Sequence, residues 1–96
     1  MRFKVFKYEV PEFDCKLRLP SGAQLLSAGM KPTEEKLWVW ARVPQPSHLD
    51  VIVRVRVIAT GEPIDEQGSE RWRFIDTVFQ GPLVWHLFEV SRWTPK

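Results

Sequence analysis

Apolar and polar residues alternate along most of this chain with a period of two, the period of a strand with one buried face. The alternation is clearest over residues 51–59, where Val51, Val53, Val55 and Val57 share one face and Ile52, Arg54, Arg56 and Ile58 the other. β-Branched side chains suit a pleated strand, and an unbroken valine face belongs in a core. The run Leu37 to Val43 repeats the pattern, with Leu37, Val39, Ala41 and Val43 opposed to Trp38, Trp40 and Arg42, before Pro44 and Pro46 end it. Arg2 to Val10 alternates more loosely, with Phe6, Tyr8 and Val10 against Val5 and Lys7. Phe13 to Leu19 alternates cleanly up to the turn signal Pro20-Ser21-Gly22. Ala23 to Met30 is a shorter apolar piece closed by Lys31 to Glu35.

Arg71 to Phe79 predicts a further strand with Trp72, Phe74 and Val78 on one side. Leu83 to Val90 (LVWHLFEV) predicts a last one, rich enough in branched and aromatic residues to lie in the middle of a small sheet. Gln80-Gly81-Pro82 joins these two as an antiparallel hairpin. Thr60 to Ser69 is the longest loop, with room for one helical turn. No stretch shows sustained apolar spacing of 3.6 residues, and eight prolines and five glycines punctuate the chain. The expected fold is all-β: a single small antiparallel sandwich or partly closed barrel of about seven strands with little helix.

Ninety-six residues make one domain, 1–96 with its core over 2–93, able to bury roughly 60–65% of its unfolded surface. The composition, 44% hydrophobic and 27% charged, is that of a globular protein, which argues against disorder and against a membrane partner. Lysines interrupt the apolar residues after Met1, so no signal-peptide core follows and a cytoplasmic location is expected. Cys15 is the single cysteine, which excludes an internal disulfide and a thiolate-rich zinc site. It shares a face with Phe13, Leu17 and Leu19, where a thiol serves as a small core hydrophobe.

Four pieces, RLPSGAQLLS (18–27), LWVWARVP (37–44), VIATGEPI (57–64) and IDTVFQGPLVWHLFEV (75–90), carry a family resemblance in their order and spacing. The chain resembles a group of small proteins encoded by bacteriophages, prophages and actinobacteria, known as a domain of unknown function. The resemblance runs from about Phe6 to Val90 and leaves out Arg71-Trp72-Arg73 and Ser91 to Lys96. It implies a phage or mobile-element setting, with the host cytoplasm as location, and no established activity.

His86 is the most chemically interesting residue of the last strand. It precedes Glu89 by three residues, which on a strand places the two on opposite sides, so no shared metal is expected. The chain has no nucleophile elbow, no phosphate-cradling glycine loop and no paired His and Cys motif, so no enzyme is expected and no cofactor. Thr60-Gly61-Glu62-Pro63-Ile64 reads as a structural turn. The more suggestive pattern combines arginine and tryptophan. Arg54 and Arg56 line one strand face, Arg71 and Arg73 one face of the next, and Trp38 and Trp40 lie beside Arg42. Guanidinium forks suit phosphates, and indole faces stack on bases.

The net charge of +2 does not by itself call for nucleic acid, which is a less favoured partner. The preferred expectation is a non-enzymatic phage-type accessory protein that binds or sequesters a small anionic, nucleotide-like ligand, in a counter-defence role. Arg54, Arg56, Arg71 and Arg73 would hold phosphate, Trp38 or Trp40 would stack the base, and His86 would be a ligand contact. The alternative is a protein-interaction module that inhibits or modulates a host factor. Five tryptophans in so short a chain, with sheet edges to cover, also lead us to expect a homo-oligomer.

Overall fold

The computed structural model describes residues 1–31, 33–68 and 70–96; Pro32 in the Lys31-to-Glu35 turn and Ser69 in the long loop lie outside the described residues. The alternating segments form seven strands: β1 Arg2–Val10, β2 Asp14–Pro20, β3 Gln24–Lys31, β4 Lys36–Gln45, β5 Asp50–Ala59, β6 Arg73–Gln80 and β7 Leu83–Trp93. They pair antiparallel in two sheets, one of three strands in the order β1-β4-β3 and one of four in the order β2-β5-β7-β6. The sheets stack face to face and do not close, so the fold is a sandwich, and among the described residues there is no helix.

The core is built from the inner faces of the central strands. Val39, Ala41 and Val43 of β4 face Val53, Val55 and Val57 of β5, each at most 2% exposed, with Leu19 of β2 and Leu87 of β7 at 0%. Burying side chains of this size contributes about 1.5–3 kcal/mol apiece before chain entropy is set against it. The predicted valine face and the Leu37-to-Val43 face are therefore the two walls of the core. Cys15 is half-buried against this cluster, and burial pushes its thiol pKa up, which keeps it protonated and unreactive.

β7 lies between β5 and β6, as its composition predicts, and pairs with β6 as a hairpin. It runs three residues beyond Val90, because a bulge opposite Arg54 and Val55 restores pairing of Ser91, Arg92 and Trp93 with β5. β4 likewise continues through Pro44. The β3 register ends at Gln24 opposite Arg42, so the missing N–H of Pro44 removes no ladder bond on that side.

The expected face of Trp72, Phe74 and Val78 is corrected by the structure. β6 begins only at Arg73, and a bulge between Phe74 and Asp76 inserts Ile75. The extra residue flips the alternation, so Phe74 lies outside opposite Phe88 while Val78 lies inside opposite Trp85. Asp76 consequently turns toward the sandwich seam. Its carboxylate accepts the backbone N–H of Ala28 on β3 at 3.0 Å, joining the neighbouring edges of the two sheets.

Candidate functional site

Arg54 and Arg56 project from β5 onto the outer face of the four-stranded sheet, as the alternation requires. Arg54 is fully engaged there. Its Nε and Nη2 donate to the two carboxylate oxygens of Asp14 on β2, both at 2.9 Å, and its Nη1 donates to Glu70 at 2.9 Å. This bidentate geometry raises the Arg54 pKa and lowers that of Asp14, with the Arg54 hydrogen bond as the largest cause. Glu70 is lowered chiefly by the backbone N–H of Gln67, then by Trp72 and Arg54. Arg56 stacks over Trp72 with its guanidinium carbon 5.4 Å from the ring centre, and its Nε lies 3.9 Å from Asp14, too far for a hydrogen bond.

Arg71 and Arg73 are exposed but do not extend this cluster. Arg71 precedes β6, and Arg73 is level with Glu89 and Val55, the register position that faces away from Arg56 and Phe88. His86 lies on the outer face of β7. Its Nε2 is 2.8 Å from the hydroxyl of Thr60 and its Nδ1 3.0 Å from that of Thr77, so both ring nitrogens are satisfied in either tautomer. Its hydrogen-bond partners are these hydroxyls, not Glu89, which binds Arg92, or Asp76, which binds Ala28. Among the described residues no three His, Cys, Asp or Glu side chains converge as a metal site.

Trp38 and Trp40 belong to β4, in the other sheet, on the face opposite Val39 and Ala41. The whole sandwich separates them from Arg54 and Arg56, so the expected pairing of these indoles with these guanidinium groups does not form. The indoles that do lie near these arginines are Trp72, which shares Glu70 with Arg54, and Trp93. Trp93 borders an open depression of about 680 Å³ with Lys16, Arg54 and Ser91, but Glu12 and Asp14 balance the two cations there.

The outer face of the three-stranded sheet has a different character. Registered residues form successive rungs: Phe3 with Pro44; Val5, Arg42 and Gln24; Lys7, Trp40 and Ser27; Glu9, Trp38 and Gly29; then Lys36 with Lys31. Two of the four cations have a carboxylate partner, Lys36 with Glu9 at 3.7 Å and Lys31 with Glu34 at 4.0 Å. Lys7 sits over the Trp38 ring at 4.6 Å and Arg42 over Phe3 at 3.6 Å, and among the described residues neither has a carboxylate within ion-pair distance. The Trp40 ring lies over Gly29, where a Cβ would come within 3.1 Å of it. Lys7 and Phe3 were not singled out from the sequence. Only the β1–β4 register puts them beside Trp40 and Arg42.

The fold and these two faces define an all-β antiparallel sandwich with one charge-compensated and one basic aromatic surface. The chain belongs to the family described as Domain of unknown function (DUF7352), which it matches over residues 1–95. No curated protein and no solved structure matches it. Among the described residues no helix is long and apolar enough to cross a membrane.

Proposed function

We propose that this is a non-enzymatic accessory protein that binds a nucleotide-like anion on the outer face of β1-β4-β3. The observation that supports the proposal is the placing of Trp38 and Trp40 among Lys7, Arg42 and Phe3, where the cations rest on aromatic rings and not on carboxylates. A cation held by a ring is exchangeable for phosphate at lower cost than one held bidentately by a carboxylate, as Arg54 is. Phosphate recognition therefore moves from Arg54 and Arg56 to Lys7 and Arg42, while base stacking stays with the tryptophans. The phage-type setting, cytoplasmic location and counter-defence role go with this reading. Its test is a panel of linear and cyclic nucleotides at low salt, read by tryptophan fluorescence and calorimetry. Trp40→Ala and the pair Lys7→Gln with Arg42→Gln abolish the signal, and Arg54→Gln does not. Silence across the panel removes the small-ligand reading.

The runner-up is a protein-interaction module that modulates a host factor, and one feature supports it specifically. Phe74 and Phe79 on the outer face of the edge strand β6 are 55% and 71% exposed, an apolar strip of the kind that partners cover. A second copy on that strip is its homo-oligomeric form. Native mass spectrometry giving only monomer, unchanged by Phe79→Ser, counts against that form.

A further inference from the structure

The basic aromatic face is a platform and not a pocket. None of the principal depressions of the described surface is lined by Phe3, Lys7, Trp38, Trp40 or Arg42: they lie at the β2–β7 border, the Pro11-to-Phe13 corner, whose rim takes in Glu9 and Lys36, the Gln80 turn, the Arg2–Gln45 end and the Thr60–Leu83 edge. Small-molecule sites enclose most of their ligand in a concavity. A flat face cannot do so, and it gains affinity by repeating modest contacts along an extended ligand. From the Phe3 rung to the Lys36 rung, eight steps along β4 span about 27 Å. Trp38 and Trp40 are alternate residues on one strand, about 6.8 Å apart along it. Among the described residues no ring or cation lies over Trp40, and Lys7 and Arg42 flank it across and along the sheet.

Deepening the nucleotide reading, on which it rests, we propose that the ligand of this face is single-stranded nucleic acid. One base stacks on Trp40. Its flanking phosphates meet Lys7 and Arg42, and a neighbouring base takes the Trp38 ring once Lys7 swings from it to phosphate. Lys31 and Lys36, which lie 4.0 and 3.7 Å from Glu34 and Glu9 and make no hydrogen bond to them, continue the cationic track at the far end. Base-paired nucleic acid is excluded because its bases are already stacked and a flat sheet enters no groove. An acidic polypeptide would use the cations alone and leave the indoles unused. The binding is sequence-tolerant, since every base has a π-face, and salt-sensitive.

The test is a length series in the full chain: a mononucleotide, then oligothymidylates of roughly four to twelve residues, read by tryptophan quenching and fluorescence anisotropy against salt. Affinity rises with length to a plateau, and two to four phosphate contacts give a log–log salt slope of about −1.4 to −2.8. Lys7→Gln and Arg42→Gln each reduce its magnitude by about 0.7. Trp40→Ala weakens binding about 5- to 150-fold, and Trp40→Phe recovers part of that loss. Where Trp40→Ala fails to fold, the two glutamine variants and Trp40→Phe still decide.

If mononucleotides bind as tightly as the oligomers, the nucleotide reading stands and this inference falls. If oligomers quench the tryptophans while mononucleotides do not, the inference stands and the small-ligand form falls. If nothing binds at any length, both fall. Equal competition by duplex DNA or polyglutamate overturns the inference in favour of a general polyanion or protein surface.

Discussion

Asp76 joins the two sheets at one edge, and replacing it measures how much that seam contributes. β3 and β6 are the edge strands there, so the N–H of Ala28 points away from β4 and depends on Asp76, which accepts it at 3.0 Å while also accepting the Thr77 N–H at 2.9 Å. Asp76→Ala leaves both donors without a protein partner. A buried unsatisfied donor costs about 1–3 kcal/mol. Both sites are only part-buried, so water offsets part of this and the sum comes to about 2 kcal/mol. For a domain of this size that lowers Tm by roughly 8–16 °C.

Asp76→Asn keeps one acceptor oxygen and turns its amide toward one of the two N–H groups, so it loses about half as much. Urea and thermal denaturation read the totals, and amide exchange reads the site. The Ala28 amide loses protection in both variants, more than amides within the β4–β1 ladder. A change below about 0.5 kcal/mol in Asp76→Ala, with Ala28 protection intact, would refute the seam as a source of stability.

Three further outcomes follow from the packing and charge. Gly22 and Gly61 both have positive φ, +83° and +90°, but a Cβ on Gly22 would meet Pro44 Cγ at 2.9 Å and one on Gly61 meets nothing within 4 Å; both alanine variants bear a backbone cost of about 1–2 kcal/mol, and Gly22→Ala is worse by at least about 1 kcal/mol, so equal denaturation midpoints would contradict the contact. The lowered pKa values of Asp14 and Glu70 mean that their contribution is present above the ordinary carboxyl range, about pH 4, and is lost as pH falls through their folded values; Arg54→Gln flattens stability against pH in that acid window, and an unchanged acid limb speaks against the ion-pair hub. Leu87→Ala, at 0% exposure, costs about 2–5 kcal/mol, while Leu83→Ala at 50% exposure stays within about 0.5 kcal/mol, as chemical denaturation will show.

The alternation of Val51 to Val57 and of Leu37 to Val43 was enough to identify strands, to send the valine side of the first to the core, and to recognise an all-β fold, sandwich or partly closed barrel, because a strand's side-chain period is local and independent of its partners. The same local rule placed Arg54 and Arg56 on an outward face and set Trp38 and Trp40 together on the face opposite Val39 and Ala41. It failed at Ile75, where one bulged residue put Phe74 and Val78 on opposite faces and sent Asp76 to the seam. It also could not say which outward faces belong together. β4 and β5 are consecutive in the chain yet sit in different sheets, so neighbouring runs of tryptophan and arginine end on opposite sides of the molecule.

Asp14 and Glu70 reach Arg54 from 40 and 16 residues away, and Lys7 reaches Trp38 only through the β1–β4 register. Which cations are neutralised and which stay available is thus a property of strand pairing. Periodicity along the chain determined the strands and their buried faces. Only the long-range pairing, which periodicity leaves open, decided that the basic aromatic surface lies on β1-β4-β3.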